Sequence, residues 1–245
     1  MPHASANLPR HIAITMDGNG RWAAARGATR AAGHKAGLKP VRMCVEECTR
    51  LSVEALTLFA FSSENWGRPA DEVGSLMSLF LEALDRELDE LHEKGVRLRF
   101  IGERTSLSVR LQAHIAAAEE RTAANHGLAL QVAVSYGGRW DIVKAAQSLA
   151  RECSSGSMRP EEITEARFAQ ALSLAGLPDP DLHIRTGGER RISNFLLWQL
   201  AYAELYFTER LWPDFAVADL GDALSFFASR ERRFGQRPAA VSAAR

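Results

Sequence analysis

The sequence predicts an α/β fold in which a central, mostly parallel β-sheet is flanked by α-helices. Three observations carry that prediction. Short apolar runs alternate with longer stretches of helical period along the chain. Polar, glycine-rich segments follow several of the apolar runs, as they do where strands end at a ligand site. At 245 residues and 46% hydrophobic, the chain can bury a sizeable core without disulfide or metal staples.

The elements follow in order. Residues 11–16 (HIAITM) form a β-branched apolar run and read as a buried strand. The turn DGNGR comes next, then a helical stretch through Ala25. Residues 36–51 read as a helix with Leu38, Val41, Val45 and Cys48 on one side. Residues 55–61 (ALTLFAF) are a second buried strand, and 62–68 a polar loop. Pro69 suits the first turn of a long helix that runs to about Lys94, where Gly95 ends it. That helix carries a wide apolar stripe: Leu76, Met77, Phe80, Leu81, Leu84, Leu88 and Leu91. The stripe reads mostly as packing on the sheet, and more sharply as one wall of a hydrophobic tunnel. Residues 97–101 are a third strand, and 107–125 a helix closed by Asn-His-Gly. Residues 128–135 are a fourth strand, 140–151 a helix, 153–160 a surface loop and 161–175 a helix. Residues 182–185 are a fifth strand and 205–207 a candidate sixth. Strands separated by helices imply a parallel sheet covered on both faces. The expected organisation is one domain, with 1–10 and 238–245 as flexible tails.

Composition narrows the function. Lys+Arg 30 balances Asp+Glu 30, which argues against a general nucleic-acid binder. Three cysteines make no disulfide framework, and no zinc-ligand spacing accompanies Cys44 and Cys48. They read as reduced structural thiols of a cytoplasmic protein. The start MPHASANLPRHIAI lacks the pattern of a signal peptide. The longest uncharged apolar run, 192–203, falls short of the roughly 20 residues that span a bilayer. No G-x-S-x-G, H-E-x-x-H or C-x-x-C motif occurs.

Four segments sit at predicted strand ends: MDGNGRW, FSSENWGRP, SYGGRWD and RTGGERRISN. In the first, a strand, a glycine turn and a helix suit a phosphate, and Gly18, Gly20 and Ala23 match a relaxed dinucleotide fingerprint. Asp17 in that turn would repel a bare pyrophosphate and makes sense with a bridging Mg²⁺. A plain pair of turn glycines is an equal reading. Downstream, Arg21, Arg26, Arg30, His34 and Lys35 are either a solvated helix face or phosphate donors. Ser62, Ser63, Asn65 and Trp66 read as donors and a flat apolar face, or as a helix lead-in. Arg185, Arg190, Arg191 and Ser193 around a glycine pair are a second candidate anion cradle. Asp17 and Glu204 are candidate metal ligands. Glu204 lies in an otherwise apolar run, where an ion pair with an arginine is as good an account.

Taken together, HIAITMDGNGRWA, GHKAG, ALTLFAFSSENWGRP, YGGRWD, IRTGGERRISNFLLWQ and YAELYFTERLWPDF resemble the cis-prenyltransferase family, from residue 11 to about 235. The aspartate pairs of trans-prenyltransferases are absent, as the resemblance requires. It implies condensation of isopentenyl diphosphate units onto farnesyl diphosphate, giving undecaprenyl diphosphate, precursor of the lipid carrier for cell-wall glycans. By position, Asp17 would hold Mg²⁺ and diphosphate. Gly18, Asn19, Gly20, Arg21, Trp22, Arg30 and His34 would serve the allylic diphosphate, completed by Ser62, Ser63, Glu64, Trp66 and Arg68. Arg185, Arg191, Ile192 and Ser193 would bind isopentenyl diphosphate. Glu204 would join the Mg²⁺ site, with a homodimer interface as one route. Asn65 stands where the family places its proton acceptor. A neutral amide is a poor base at pH 7, so positioning by Asn65, with a diphosphate oxygen or Asp17 taking the proton, is physically easier. The product's chemistry makes transient peripheral membrane contact plausible. Two positions depart from the family pattern, Ser135 and Arg190. A non-catalytic partner subunit of the same fold and a nicotinamide-dependent oxidoreductase are the competing readings.

Overall fold

β-Branched and apolar runs place six strands side by side: β1 (His11–Thr15), β2 (Ala55–Ser62), β3 (Arg97–Ile101), β4 (Ala129–Tyr136), β5 (Leu182–Arg185) and β6 (Glu204–Phe207). The computed structural model describes residues 8–230. In it these strands form one sheet in the order β3-β4-β2-β1-β5-β6, and every neighbouring pair is parallel. The helices are α1 (Asn19–Ala24), α2 (Arg30–Ala36), α3 (Leu38–Arg50), α4 (Ala70–Glu93), α5 (Val109–Thr122), α6 (Gly138–Ser154), α7 (Glu165–Gln170) and α8 (Val217–Ala228).

Three departures from the sequence reading have local causes. The helix expected over 36–51 is α3 alone, preceded by a separate α2 whose first turn is capped by the Thr29 hydroxyl accepting from Ala32 N at 3.2 Å. The break falls at Gly37, where a Cβ would lie 2.7 Å from Asn19 Oδ1. The helix expected over 161–175 shrinks to α7. Thr164 caps a new start by accepting from Arg167 N, and beyond Gln170 the chain is diverted by Asp141 Oδ1, which accepts from Ser173 N and Oγ at 3.0 and 2.7 Å. Helix α8 was not anticipated, although Leu220, Ala223 and Phe227 give it one buried stripe. Of the tails expected at 1–10 and 238–245, residues 1–7 and 238–245 lie outside the described residues. Arg10 is tied down: its backbone N–H donates to Asp181 Oδ2 at 2.7 Å and its guanidinium pairs with Glu54 at 2.6 Å.

Strand alternation sorts the core into two faces. Ile12, Ile14, Leu56, Leu58, Leu130, Leu182 and Ile184 point to the face covered by α3, α4, α5 and α8. The other face carries Ala13, Ala133, Phe195 and Leu196, and also a buried polar set: His11, Thr57, Gln131 and His183. At the end of β2 the pairing with β4 slips by one residue between Phe59 and Phe61, then slips back before Ser62. The extra residue is Ala60, and the compensating one on β4 is Ser135, whose φ is +53°. This bulge turns Phe61 onto the first face beside Leu58, where strict alternation would send it to the other. It also re-aims the polar loop that follows.

His11 and His183 lie wholly inside the second face. Neutral His11 donates from Nδ1 to Pro178 O at 2.7 Å and accepts at Nε2 from the Thr57 hydroxyl at 2.8 Å. His183 Nε2 meets Thr15 Oγ1 at 3.0 Å. Burial pushes His11 from 6.5 down to about 4; burial and then the Arg185 charge do the same to His183. Between those limits the unfolded chain binds protons that the folded chain does not, so stability rises with pH there and is lost as pH falls from 6.5 toward 4. Each group contributes on the order of 3 kcal/mol to that loss. Urea unfolding at neutral pH and near the acid limit should show the decline, and His11→Asn should flatten its pH slope.

Candidate functional site

β1 and β5 are neighbours in register, Thr15 opposite Arg185, so the two chains leave the sheet side by side. Arg185 ends β5 and is only 4% exposed. A buried guanidinium needs acceptors. It finds Asp17 Oδ2 at 2.9 Å, Arg191 O at 2.6 Å and Ser193 Oγ at 2.7 Å, while its Nε has no partner among the described residues. Asp17 is itself fixed: its N–H donates to Thr186 Oγ1 at 2.9 Å and its carbonyl accepts from Thr186 Oγ1 at 2.7 Å and Trp212 N at 3.0 Å. Its other carboxylate oxygen lies 3.3 Å from Arg21 Nη2. Gly18 follows at φ +111°, against Leu211, where a Cβ would come within 2.9 Å of the leucine side chain.

The loop after β5 is held by a residue that sequence reasoning missed. Asn194, at φ +61°, donates through Nδ2 to Glu64 Oε1 at 2.7 Å. Its Oδ1 accepts from Arg139 N at 2.9 Å, and its carbonyl from Gly138 N at 2.6 Å. One side chain and its own peptide thus join three of the four strand-end segments. The only sequence cue was an Asn beside a Ser in a loop, a pair that tolerates left-handed backbone. Ser193 shares that conformation at φ +48°, so two adjacent strained residues present Arg191 and Ser193. Ile192 packs against the second-face cluster and serves as an anchor.

After β2, Ser62 and Asn65 cap one another: Ser62 N donates to Asn65 Oδ1 at 3.1 Å. The amide of Asn65 is therefore oriented by the backbone. Ser63 Oγ donates to Glu64 Oε2 at 3.1 Å. Partial burial raises the Glu64 pKa, but hydrogen bonds from its own backbone, Asn194, Ser63 and Ser62 outweigh that and leave it below its ordinary value. Trp66 packs edge-on to Phe61 and donates to Ser135 Oγ at 2.9 Å, which gives the unusual backbone at Ser135 a structural use. Arg68 and Arg30 converge on Glu72, each at 3.0 Å. Glu72, also missed, stands four residues after Arg68 in the first turn of α4. His34 lies between these arginines; burial, then the charge of Arg68, lowers its pKa.

The structure separates some of the expected residues from this centre. Trp22 Nε1 donates to Asp214 Oδ1 at 2.7 Å and its ring lies under Arg26, so it supports the turn. Gly20 faces open space. Glu204 lies opposite Leu182 at the amino end of the sheet, whereas Arg185 lies opposite Phe207 at the carboxyl end. Its carboxylate pairs with Arg230 at 3.2 Å. The metal role expected of Glu204 therefore gains no support within one chain: the fold does not bring it to Asp17. No group of three His, Cys, Asp or Glu side chains that could hold a metal occurs among the described residues.

From this mouth a cavity of about 770 Å³ extends between the first face of the sheet and helices α3 and α4. Asp17, Asn19, His34, Arg68, Arg185, Arg191 and Ser193 line one end; Val41, Leu58, Phe80, Leu84, Leu91 and Leu98 line the rest. Asn19 Oδ1 is buried there without a partner among the described residues. Helix α4 lies beside α5 and α2 and meets the sheet at β3, so its apolar stripe is divided between packing and cavity wall.

A family model described as "Putative undecaprenyl diphosphate synthase" matches residues 15–235. The chain belongs to this prenyltransferase family. It is 56% identical, over 98% of its length and 94% of the relative's, to a ditrans,polycis-undecaprenyl-diphosphate synthase ((2E,6E)-farnesyl-diphosphate specific) of Xanthomonas axonopodis pv. citri. A protein of the same name from Pseudomonas putida is 55% identical, covering 99% and 96%. Lavandulyl diphosphate synthase from Lavandula x intermedia, solved with dimethylallyl diphosphate, superposes with a TM-score of 0.90 at 40% identity, covering 94% of this chain and 99% of that one. Family membership overturns the nicotinamide-dependent reading of Gly18, Gly20 and Ala23.

Two features of the Asp17 turn can be tested by stability alone. Gly18→Ala must place a Cβ against Leu211 and hold a left-handed backbone, and should cost roughly 1–3 kcal/mol. Urea denaturation at neutral pH measures it.

Proposed function

We propose that this chain is a cis-prenyltransferase that condenses isopentenyl diphosphate units onto farnesyl diphosphate to form undecaprenyl diphosphate, precursor of the cell-wall lipid carrier. One observation supports it above the others: the cavity is arginine-rich at its mouth and, Glu87 apart, apolar for the rest of its depth. That division suits a substrate with a diphosphate head and a hydrocarbon tail, and the curated names of relatives at 55–56% identity agree.

In this reading the mouth has two subsites. The turn Gly18–Trp22, with Arg30, His34, Ser62, Ser63, Glu64, Trp66 and Arg68, serves the allylic diphosphate. Arg185, Arg191, Ile192 and Ser193 serve isopentenyl diphosphate. Asp17 stands between them, already paired with Arg185. The residues fit Mg²⁺ in a particular way: Asp17 offers a partly exposed carboxylate, and Asn19 Oδ1, on the wall of the same cavity, has no partner among the described residues, so diphosphate and water would supply the remaining ligands. When bound, the ion would neutralise charge on the diphosphates. The arginines hold the leaving diphosphate where its charge grows, and the two fixed subsites place the reacting carbons together. As the new carbon–carbon bond forms and the allylic diphosphate departs, a proton leaves the isopentenyl unit. Asn65, its amide oriented by Ser62, positions that unit; a diphosphate oxygen or Asp17 takes the proton. The apolar depth acts as the tunnel that keeps water from the electron-poor allylic carbon.

A homodimer completes the proposal. β6 is an open sheet edge, with Leu205 on it exposed and Tyr202 75% exposed just before it. Glu204 begins that strand, so it reaches a metal only across such an interface. No helix among the described residues is long and apolar enough to cross a membrane. We place the enzyme in the cytoplasm, touching membranes only to deliver its product.

Purified protein incubated with farnesyl diphosphate, labelled isopentenyl diphosphate and Mg²⁺ should give one lipid near eleven isoprene units. Absence of incorporation by folded protein would sink the reading. Chelation should stop the reaction and Mg²⁺ restore it. Asp17→Asn keeps an acceptor for the buried Arg185 and should lower turnover by about 10²-fold or more with little change in unfolding. Asp17→Ala leaves Arg185 only the Arg191 carbonyl and the Ser193 hydroxyl, and should cost roughly 1–3 kcal/mol of stability.

A further inference from the structure

The cavity wall between α3 and α4 differs from the rest. Along α4, Leu76, Phe80, Leu84, Glu87 and Leu91 face the cavity at the spacing of one helical stripe. Glu87 takes a place where that spacing asks for an apolar side chain. The other ionisable lining residues, such as Asp17, Arg68 and Arg185, all belong to the mouth.

The Glu87 carboxylate is engaged on both oxygens. Oε2 accepts from Arg42 Nε at 3.0 Å and Nη2 at 2.6 Å, and Oε1 from Arg86 Nε at 2.7 Å. Arg42 belongs to α3, directly after the cavity-lining Val41. Further along, Lys94 at the end of α4 reaches Glu46 of α3 at 3.0 Å. Helix α4 packs along α5 and α2, while the apolar space separates it from α3. Ion pairs therefore strap the two helices across the cavity.

We propose that this strapped seam is a lateral gate: the hydrocarbon end of the lengthening product leaves between α3 and α4 by parting Arg42 from Glu87, while its diphosphate stays at the mouth. The proposal rests on the prenyltransferase reading above. A wall of packed leucines could open only by exposing apolar surface. An ion pair whose side chains are 48% and 22% exposed exchanges its partner for water at little cost, and salt weakens it further. Both charges remain hydrated while the chain passes between them.

The test is a transfer measurement. Protein loaded with undecaprenyl diphosphate is mixed with phosphatidylcholine vesicles, and movement of the lipid is followed at about 50 mM and about 500 mM NaCl. Unaltered protein should release faster at high salt. Glu87→Gln should release roughly two- to five-fold faster at low salt, the scale of one exposed pair, and show a smaller salt response, since Arg42–Glu90 and Lys94–Glu46 still bridge the helices. Single-turnover incorporation of one isopentenyl unit should be unchanged. Arg42→Gln breaks the same pair from the other helix and covers the case in which Glu87→Gln folds poorly. Equal, salt-independent transfer by all proteins would overturn the gate. So would a change in product length without faster transfer, which would make the pair a floor to the cavity. Failure of the unaltered protein to incorporate isopentenyl diphosphate at all would instead remove the prenyltransferase reading, and the gate with it.

Discussion

Arg185 carries a full charge at the end of β5 with little of it open to water, and the arrangement around the mouth follows from satisfying it. The fold must bring most of its acceptors. Asp17 comes from the adjacent strand, and the Arg191 carbonyl and Ser193 hydroxyl come from the arginine's own loop. The left-handed backbone at Ser193 and Asn194 lies in the loop that meets this demand. Asn194 then fastens that loop to the ends of β2 and β4. The mouth is thus ordered by an internal charge before any substrate arrives, as a site that stabilises developing charge requires.

The cavity depends on a second constraint, the slip in register at Ala60. A regular β2 would send Phe61 to the far face and leave the near face without the ring on which Trp66 rests. The bulge supplies that support and sets Ser62 opposite Tyr136 of β4, where the capped turn to Asn65 begins. The same slip obliges Ser135 on β4 to take a positive φ, and the Ser135 hydroxyl anchors the indole of Trp66. Strain in one strand and the position of an aromatic wall in its neighbour are therefore parts of one device.

The parallel sheet was legible because its strands are short apolar runs and the longer helices between them carry apolar residues at helical spacing. The strand-end segments were legible because glycine, serine, asparagine and arginine cluster where β-branched residues stop. Residues whose role depends on distant neighbours were not legible. Asn194 and Glu72 look ordinary in sequence, and only the fold shows one joining three segments and the other holding two arginines. Glu204 was legible in part. Its apolar surroundings called for a metal or an arginine partner; strand register puts it at the other end of the sheet from Asp17, and within the chain it pairs with Arg230. Helix α2 escaped notice because seven residues, one of them glycine, carry little periodic signal.

The order of the strands has a consequence for how the chain comes to life. Asp17 and Arg185 are 168 residues apart, and the sheet that joins them has β1 near its centre. During synthesis the carboxylate emerges early and waits, without its counter-charge, for most of the protein to follow. A partly made chain can bury β1 against β2, but it has no mouth until β5 docks on the other side of β1. Diphosphate binding is therefore a property of the finished fold alone, and ligand added to a refolding mixture selects for chains that have completed their sheet.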